Sequence, residues 1–147
     1  MLSLVCVVIG VVERSGRILI CRRKARAHLG RLWEFPGGKR KANESWEACL
    51  RRELREELGI AIRRPVRIWS RRYRYADRAV WLAAFRCGVA RGKASALASD
   101  AIRWVAPETL PRYAFPPANG PLISQLARKG PRRRLAKMPR RSAKVVG

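Results

Sequence analysis

Residues 38–60 read GKRKANESWEACLRRELREELGI, and within them Gly38, Glu44, Arg52, Glu53, Glu56, Glu57 and Gly59 have the types and spacing needed to hold a divalent cation beside a polyphosphate. On a helix Glu53 and Glu57 stand one turn apart with Glu56 next to both, so three carboxylates gather along one edge. Like charges packed this way repel unless a cation sits among them. Hard oxygen donors suit Mg2+, with Mn2+ as the alternative, and Mg2+ keeps several waters and is completed by substrate phosphates. The opposing reading makes these glutamates surface partners of Arg51, Arg52 and Arg55, a common arrangement worth little. The preceding run WEFPGGK favours the site, because Gly37 and Gly38 let backbone approach an anion or a metal with no side chain in the way.

Positioning these groups requires a helix with defined ends. Asn43, Glu44 or Ser45 can cap it, Trp46, Leu50, Leu54 and Leu58 recur every four positions, and Gly59 supplies a left-handed stop. The result is a helix of about four turns entered from the turn at residues 33–38. Alternating apolar residues predict strands at 3–12 and 17–23 around a Ser15-Gly16 turn, then at 61–72, 79–89 and 102–105. A second helix is expected over 119–128. These elements make an α/β chain with a mixed sheet, and 147 residues suffice for one substantial core but not for two full domains.

Gly38, Glu44, Arg52, Glu53, Glu56, Glu57 and Gly59, with Leu54 and Ile60 at apolar positions, match the fixed positions of the Nudix box, so the chain resembles a Nudix hydrolase. WEFPGGK at 33–39 and FPPANGPLI at 115–123 are similar to the bacterial MutT-like branch, whose members hydrolyse oxidised guanine nucleoside triphosphates. The resemblance implies an α/β/α sandwich over residues 1–128 with a loop-helix-loop metal site. It makes Glu56 and Glu57 metal ligands, Glu53 a ligand or the general base, and Gly37 a ligand through its carbonyl. Arg52 would orient a carboxylate and Glu44 would support the network.

For the substrate, the resemblance implies contact with Arg23, a base pocket shaped by Phe35 and His28, and base reading by Asn119. An amide can donate and accept at once, as discrimination of an oxidised purine edge requires. Asn119 can instead cap the second helix, and His28 can be an exposed loop residue. Two departures bear on selectivity. Where many related enzymes carry a glutamate before Trp104, this chain offers only Asp100, which either reaches metal through water or caps a turn. Gly120 stands where close relatives carry an acid.

The implied activity is Mg2+-dependent hydrolysis of 8-oxo-dGTP, or a related oxidised guanine nucleotide, to nucleoside monophosphate and pyrophosphate. Two alternatives remain: a Nudix pyrophosphatase for another nucleoside diphosphate derivative or dinucleoside polyphosphate, and a nucleic-acid-binding protein on a Nudix scaffold. The second draws on charge. Lys and Arg total 34 against 10 acids, a formal net charge of +24, yet Glu34, Glu44, Glu47, Glu53, Glu56 and Glu57 all fall in or beside the proposed site. The remaining surface attracts polyanions without regard to sequence.

The Arg71-Arg72-Tyr73-Arg74-Tyr75 run reads as a strand with both tyrosines on one face and a basic rim, or as a nucleic-acid patch. Residues 129–147 contain no acid and read as a flexible basic tail. Cys6, Cys21, Cys49 and Cys87 lack CxxC spacing and read as reduced, buried small residues. The apolar start MLSLVCVVIGVV stops at Glu13, short of the roughly 20 residues a membrane helix needs, so neither secretion nor membrane insertion is expected and the cytoplasm is the expected compartment, while the resemblance implies a monomer.

Overall fold

The computed structural model describes residues 3–129. The sequence's alternating segments form β1 (Ser3–Arg14), β2 (Arg17–Arg22), β5 (Ala61–Arg74), β6 (Arg78–Arg91) and β7 (Ala101–Val105). Two short strands, β3 (Trp33–Glu34) and β4 (Gly37–Lys39), lie where only a turn was expected. The helices are α1 (Trp46–Leu58) and α2 (Gly120–Lys129), with 3-10 segments at Pro107–Arg112 and Pro117–Asn119. The expected basic tail lies outside the described residues apart from the end of α2.

The sheet runs β3-β2-β1-β6-β5, with β4 also on β1 and β7 also on β2. β1 and β6 pair in parallel over ten residues, while the other pairings are antiparallel. The β1–β2 hairpin turns at Ser15 and Gly16, with φ of 52° and 77°, the positive values that two-residue hairpin turns use. A mixed sheet covered by a helix on each face bears out the α/β/α expectation.

Side-chain alternation divides the core in two. Val8 and Val12 of β1, Leu19 and Cys21 of β2, and Ala83, Phe85 and Cys87 of β6 face α1. Ile9, Val11, Ile18, Ile20, Leu82 and Ala84 face the other way, toward Leu110 and the Leu122, Ile123 and Leu126 stripe of α2. Leu50, Leu54 and Leu58 of α1 have no exposed surface, and burying each contributes roughly 1.5–3 kcal/mol. Gly10 lies directly below: a Cβ there would meet Leu50 Cδ1 at 3.1 Å and Leu54 Cδ1 at 3.2 Å.

The Arg-Tyr run divides differently from the sequence expectation. Tyr73 lies in β5, packs on the α2-side core and donates its hydroxyl to Ala118 O at 3.0 Å, whereas Tyr75 falls past the strand end, with its N–H bonded to Arg78 O. The four cysteines are free and buried, as expected. Burial, the largest influence on each, pushes the thiols of Cys21, Cys49 and Cys87 up to about 12, which leaves them protonated and unreactive at neutral pH. Among the described residues no helix is long and apolar enough to cross a membrane.

Candidate active site

α1 begins where Ser45 Oγ accepts from Ala48 N–H at 3.0 Å and ends at Gly59, whose φ of 72° allows its N–H to reach Arg55 O at 3.0 Å. Its apolar stripe is pressed on the sheet, so Glu53 and Glu57 face the β3–β4 connection at the stripe's edge. β4 pairs with β1 through Val7↔Lys39, Val8↔Gly38 and Ile9↔Gly37. The two glycines admit different close approaches, to backbone at Gly37 and to a side chain at Gly38. At Gly37, with φ of +151°, a Cβ would lie 2.0 Å from Val8 O, and at Gly38 it would lie 2.5 Å from Glu53 Oε1. The bare backbone of Gly38 is what lets the Glu53 carboxylate lie against the turn.

One guanidinium organises the carboxylates. Arg52 holds Glu44 with two bonds, Nη2 to Oε1 at 2.6 Å and Nε to Oε2 at 3.1 Å, and donates from Nη1 to Glu53 Oε1 at 3.0 Å. It also lies 3.5 Å from Glu56 Oε1 and donates to Lys39 O at 3.2 Å. The Arg52 bond, reinforced by Lys41 N–H, pulls the Glu44 carboxyl down to about 2, so Glu44 is an anion throughout the physiological range. Glu44 in turn holds Arg52 as a cation.

Glu57 behaves oppositely. Burial, followed by its hydrogen bond with Glu53, pushes its carboxyl up to about 8, and the Gly37 N–H that donates to Oε1 at 3.2 Å offsets only part of this. Glu34 adds to the rise as a further negative charge. The negative charge of Glu53 so close by adds to the cost of charging Glu57. A divalent cation would offset that cost, so the donor set fits a hard metal ion: Glu53 and Glu57 would hold it, with the Gly37 carbonyl and Glu56 as the other candidates. Glu56 itself is solvent-exposed beside Arg52. Among the described residues no three His, Cys, Asp or Glu side chains converge as a finished metal cluster.

The remaining sequence-derived candidates are placed unequally. Arg23 borders the site, donating from Nη1 to Glu34 Oε1 at 2.9 Å and from Nε to the backbone oxygen of His28 at 2.8 Å. His28 is exposed on the loop that Arg23 pins. Phe35 is 3% exposed and stacks on Phe115 at 5.1 Å between centroids, so it lies in the α2-side core and not on an open wall. Asn119 is half-buried at the entry to α2, and its side chain makes no hydrogen bond among the described residues; only its N–H is engaged, with Pro116 O at 3.0 Å. Helix capping therefore does not occupy its amide.

Asp100 donates its N–H to Arg22 O at 3.0 Å, and its exposed side chain makes no hydrogen bond or ion pair among the described residues. Neighbouring Ser99 donates from Oγ to Ala101 O at 3.3 Å, and the charges of Glu57 and Glu34 help raise the Cys21 thiol, so this loop adjoins the carboxylates. Sequence reasoning left Glu34 without a role, although it flanks the glycine turn and couples Arg23 to Glu57. The backbone groups of Lys39 and Lys41 were also missed, since main-chain donors and acceptors leave no trace in residue types.

A family model described as a NUDIX domain matches residues 7–125. The chain is 35% identical over 122 residues to the CTP pyrophosphohydrolase of Escherichia coli (strain K12), covering 83% of this chain and 90% of that protein. It is 32% identical over 123 residues to the 8-oxo-dGTP diphosphatase of the same organism, covering 83% and 95% respectively. Among solved structures, that of the E. coli ORF135 protein superposes with a TM-score of 0.74 at 35% identity, over 84% of this chain and 88% of that one.

Proposed function

The chain belongs to the Nudix hydrolase family, near its MutT-like branch, and on that premise we propose that it hydrolyses 8-oxo-dGTP or a related oxidised guanine nucleoside triphosphate, with Mg2+, to monophosphate and pyrophosphate. The observation that carries this reading is the half-buried Glu53–Glu57 pair packed against the Gly37-Gly38 turn, a donor set that suits a hard cation. Bound there, Mg2+ would lower the pKa of an attacking water and offset charge on the phosphate oxygens. The chain's own groups do the rest.

In this reading Glu53, whose carboxylate accepts a bond from Arg52, takes the proton of the water as it attacks the β-phosphorus. The bond from that phosphorus to the α–β bridging oxygen breaks, and the monophosphate leaves with the oxygen. Arg23 offers a cation to the phosphate chain after leaving Glu34, and Asn119 offers its unpaired amide to the base edge. The setting is a monomer in the cytoplasm, where free nucleotides lie.

A second reading is favoured by the 35% identity with the CTP pyrophosphohydrolase: the same phosphate chemistry on a pyrimidine triphosphate. Gly120, with no side chain and no neighbour within 4 Å of where a Cβ would lie, leaves room for another base position. Product analysis with Mg2+ on 8-oxo-dGTP, dGTP, 8-oxo-GTP, CTP, ADP-ribose and a diadenosine polyphosphate decides between them, with Glu57→Gln as the control. Highest kcat/KM on an oxidised guanine nucleotide supports the first reading and highest on CTP supports the second. No turnover of any substrate overturns both and leaves nucleic-acid binding on a Nudix scaffold.

A further inference from the structure

Away from the carboxylates, the C-terminal ends of β1 and β6 and the start of β5 enclose a cleft of about 450 Å³, lined by Glu13, Arg14, Arg63 and Arg91 among others. A second hollow of about 150 Å³ adjoins it, sharing Glu13 and Arg63 and adding Arg64 and Arg86. Five arginines thus meet one acid along a continuous depression. Strand alternation puts Arg63, Arg86 and Glu13 on the sheet face opposite α1. Glu13 also lies four residues beyond Ile9, the partner of Gly37, which is roughly 13 Å along β1 from the glutamate site.

These arginines are poorly compensated. Arg86 Nε is buried without a hydrogen bond and lies 3.9 Å from Glu13 Oε1, beyond bonding reach. The side chains of Arg14, Arg63, Arg64 and Arg91 make no hydrogen bond or ion pair among the described residues. The local backbone sets where these side chains lie. Arg63 lies across Gly88, where a Cβ would meet its Nε at 3.2 Å, and Arg64 sits at φ of 51° where β5 bulges between Arg63 and Val66. A left-handed φ on a non-glycine residue costs on the order of 1 kcal/mol, so the bulge that groups these cations is held against a local penalty.

We propose that this cleft binds consecutive phosphates of a nucleic-acid strand. Guanidinium groups match phosphate oxygens through paired donors, and two linked hollows present a track longer than a single anion needs. No aromatic ring lines either hollow, so binding is to the backbone, depends steeply on salt and ignores base identity. The inference does not rest on the proposed hydrolysis, because the cleft shares no residue with the carboxylate site.

The test measures binding of a labelled 12-nucleotide single strand by anisotropy across a salt series, for the full chain and for Arg63→Gln/Arg91→Gln. Arg112→Gln/Arg128→Gln removes the same charge elsewhere. We expect at least ten-fold weaker binding and a log–log salt slope reduced by about 1.4 for the cleft variant, at roughly 0.7 per lost phosphate contact. The distal control should change far less, Arg63→Lys/Arg91→Lys should recover most of the slope, and kcat/KM for nucleotide hydrolysis should stay at the parental value. Equal losses in the cleft and distal variants overturn the proposal by showing only a bulk-charge effect. Inorganic tripolyphosphate binding as tightly as the oligonucleotide, with the same loss in the cleft variant, also overturns it and assigns the cleft to free polyphosphate.

Discussion

The phosphate end and the base end of the candidate site are built to different standards. At the phosphate end the groups are tied: Arg52 spans Glu44, Glu53, Glu56 and Lys39 O, Gly37 N–H binds Glu57, a Cβ at position 37 would strike Val8 O, and one at position 38 would displace the Glu53 carboxylate. At the base end Asn119 has an unengaged amide, His28 is exposed and Phe35 is buried in the core. On the proposed reading, the tied groups would serve the reaction and the untied ones the choice of nucleotide. Two relatives of similar identity to this chain carry names that differ in substrate, CTP for one and 8-oxo-dGTP for the other.

Substitutions sharpen or break this contrast. Glu53→Gln should lower kcat by about 10²–10⁴-fold on every substrate, measured by pyrophosphate release, because it removes a proton acceptor and a metal-capable oxygen. A loss confined to one nucleotide would break the division. Gly38→Ala should cost about 10–100-fold in Mg2+ affinity, read by metal titration of activity, since the new methyl lies 2.5 Å from the Glu53 carboxylate. Arg52→Lys should cost about 10-fold in kcat/KM, for an ammonium cannot reproduce the two-bond grip on Glu44.

At the other end, Asn119→Ala should shift the ratio of kcat/KM values between two bases by roughly 5–10-fold and leave product identity unchanged. The smallest effect is on stability. The Glu57 carboxyl is raised from 4.5 to about 8 in the folded chain, so its contribution is full below 4.5 and is lost as pH climbs through 8. The metal-free Tm should fall by a few degrees over that interval, with Mg2+ restoring it most at the alkaline end. A metal-free Tm that rises across the interval would contradict the burial assigned to Glu57.

The same contrast describes what could be read from the sequence. α1 was legible because three signals agreed: leucines every four residues, Ser45 among the candidate caps and Gly59 at the stop. The long strands were legible from alternation, with ends displaced by one or two residues. β3 and β4 were not, because strands of two and three residues carry no period and owe their existence to pairing with β2 and β1. Within the site, residue types announced the carboxylates and glycines. The Glu34–Arg23 pair needed the fold, which brings a strand and a loop 11 residues apart into contact. Asn119 was visible as a candidate, but its freedom from helix capping depends on the 3-10 turn at Pro117–Asn119, which two prolines favour and no periodicity reports.

Gly10 gives the molecule a sensitivity that inspection of its reactive groups would miss. It touches neither phosphate nor metal chemistry, yet its missing side chain sets how closely Leu50 and Leu54 approach the sheet, and hence the standoff between Glu53 and Gly38. A methyl at position 10 acts as a shim beneath the helix and raises the carboxylates by tenths of an ångström. Mg2+ tolerates little departure from its short octahedral bonds, whereas Ca2+ accepts longer and less regular ones. The thickness of the hydrophobic layer under α1 therefore sets how closely the carboxylates approach the glycine turn, and any cation held between them on the proposed reading would meet that spacing.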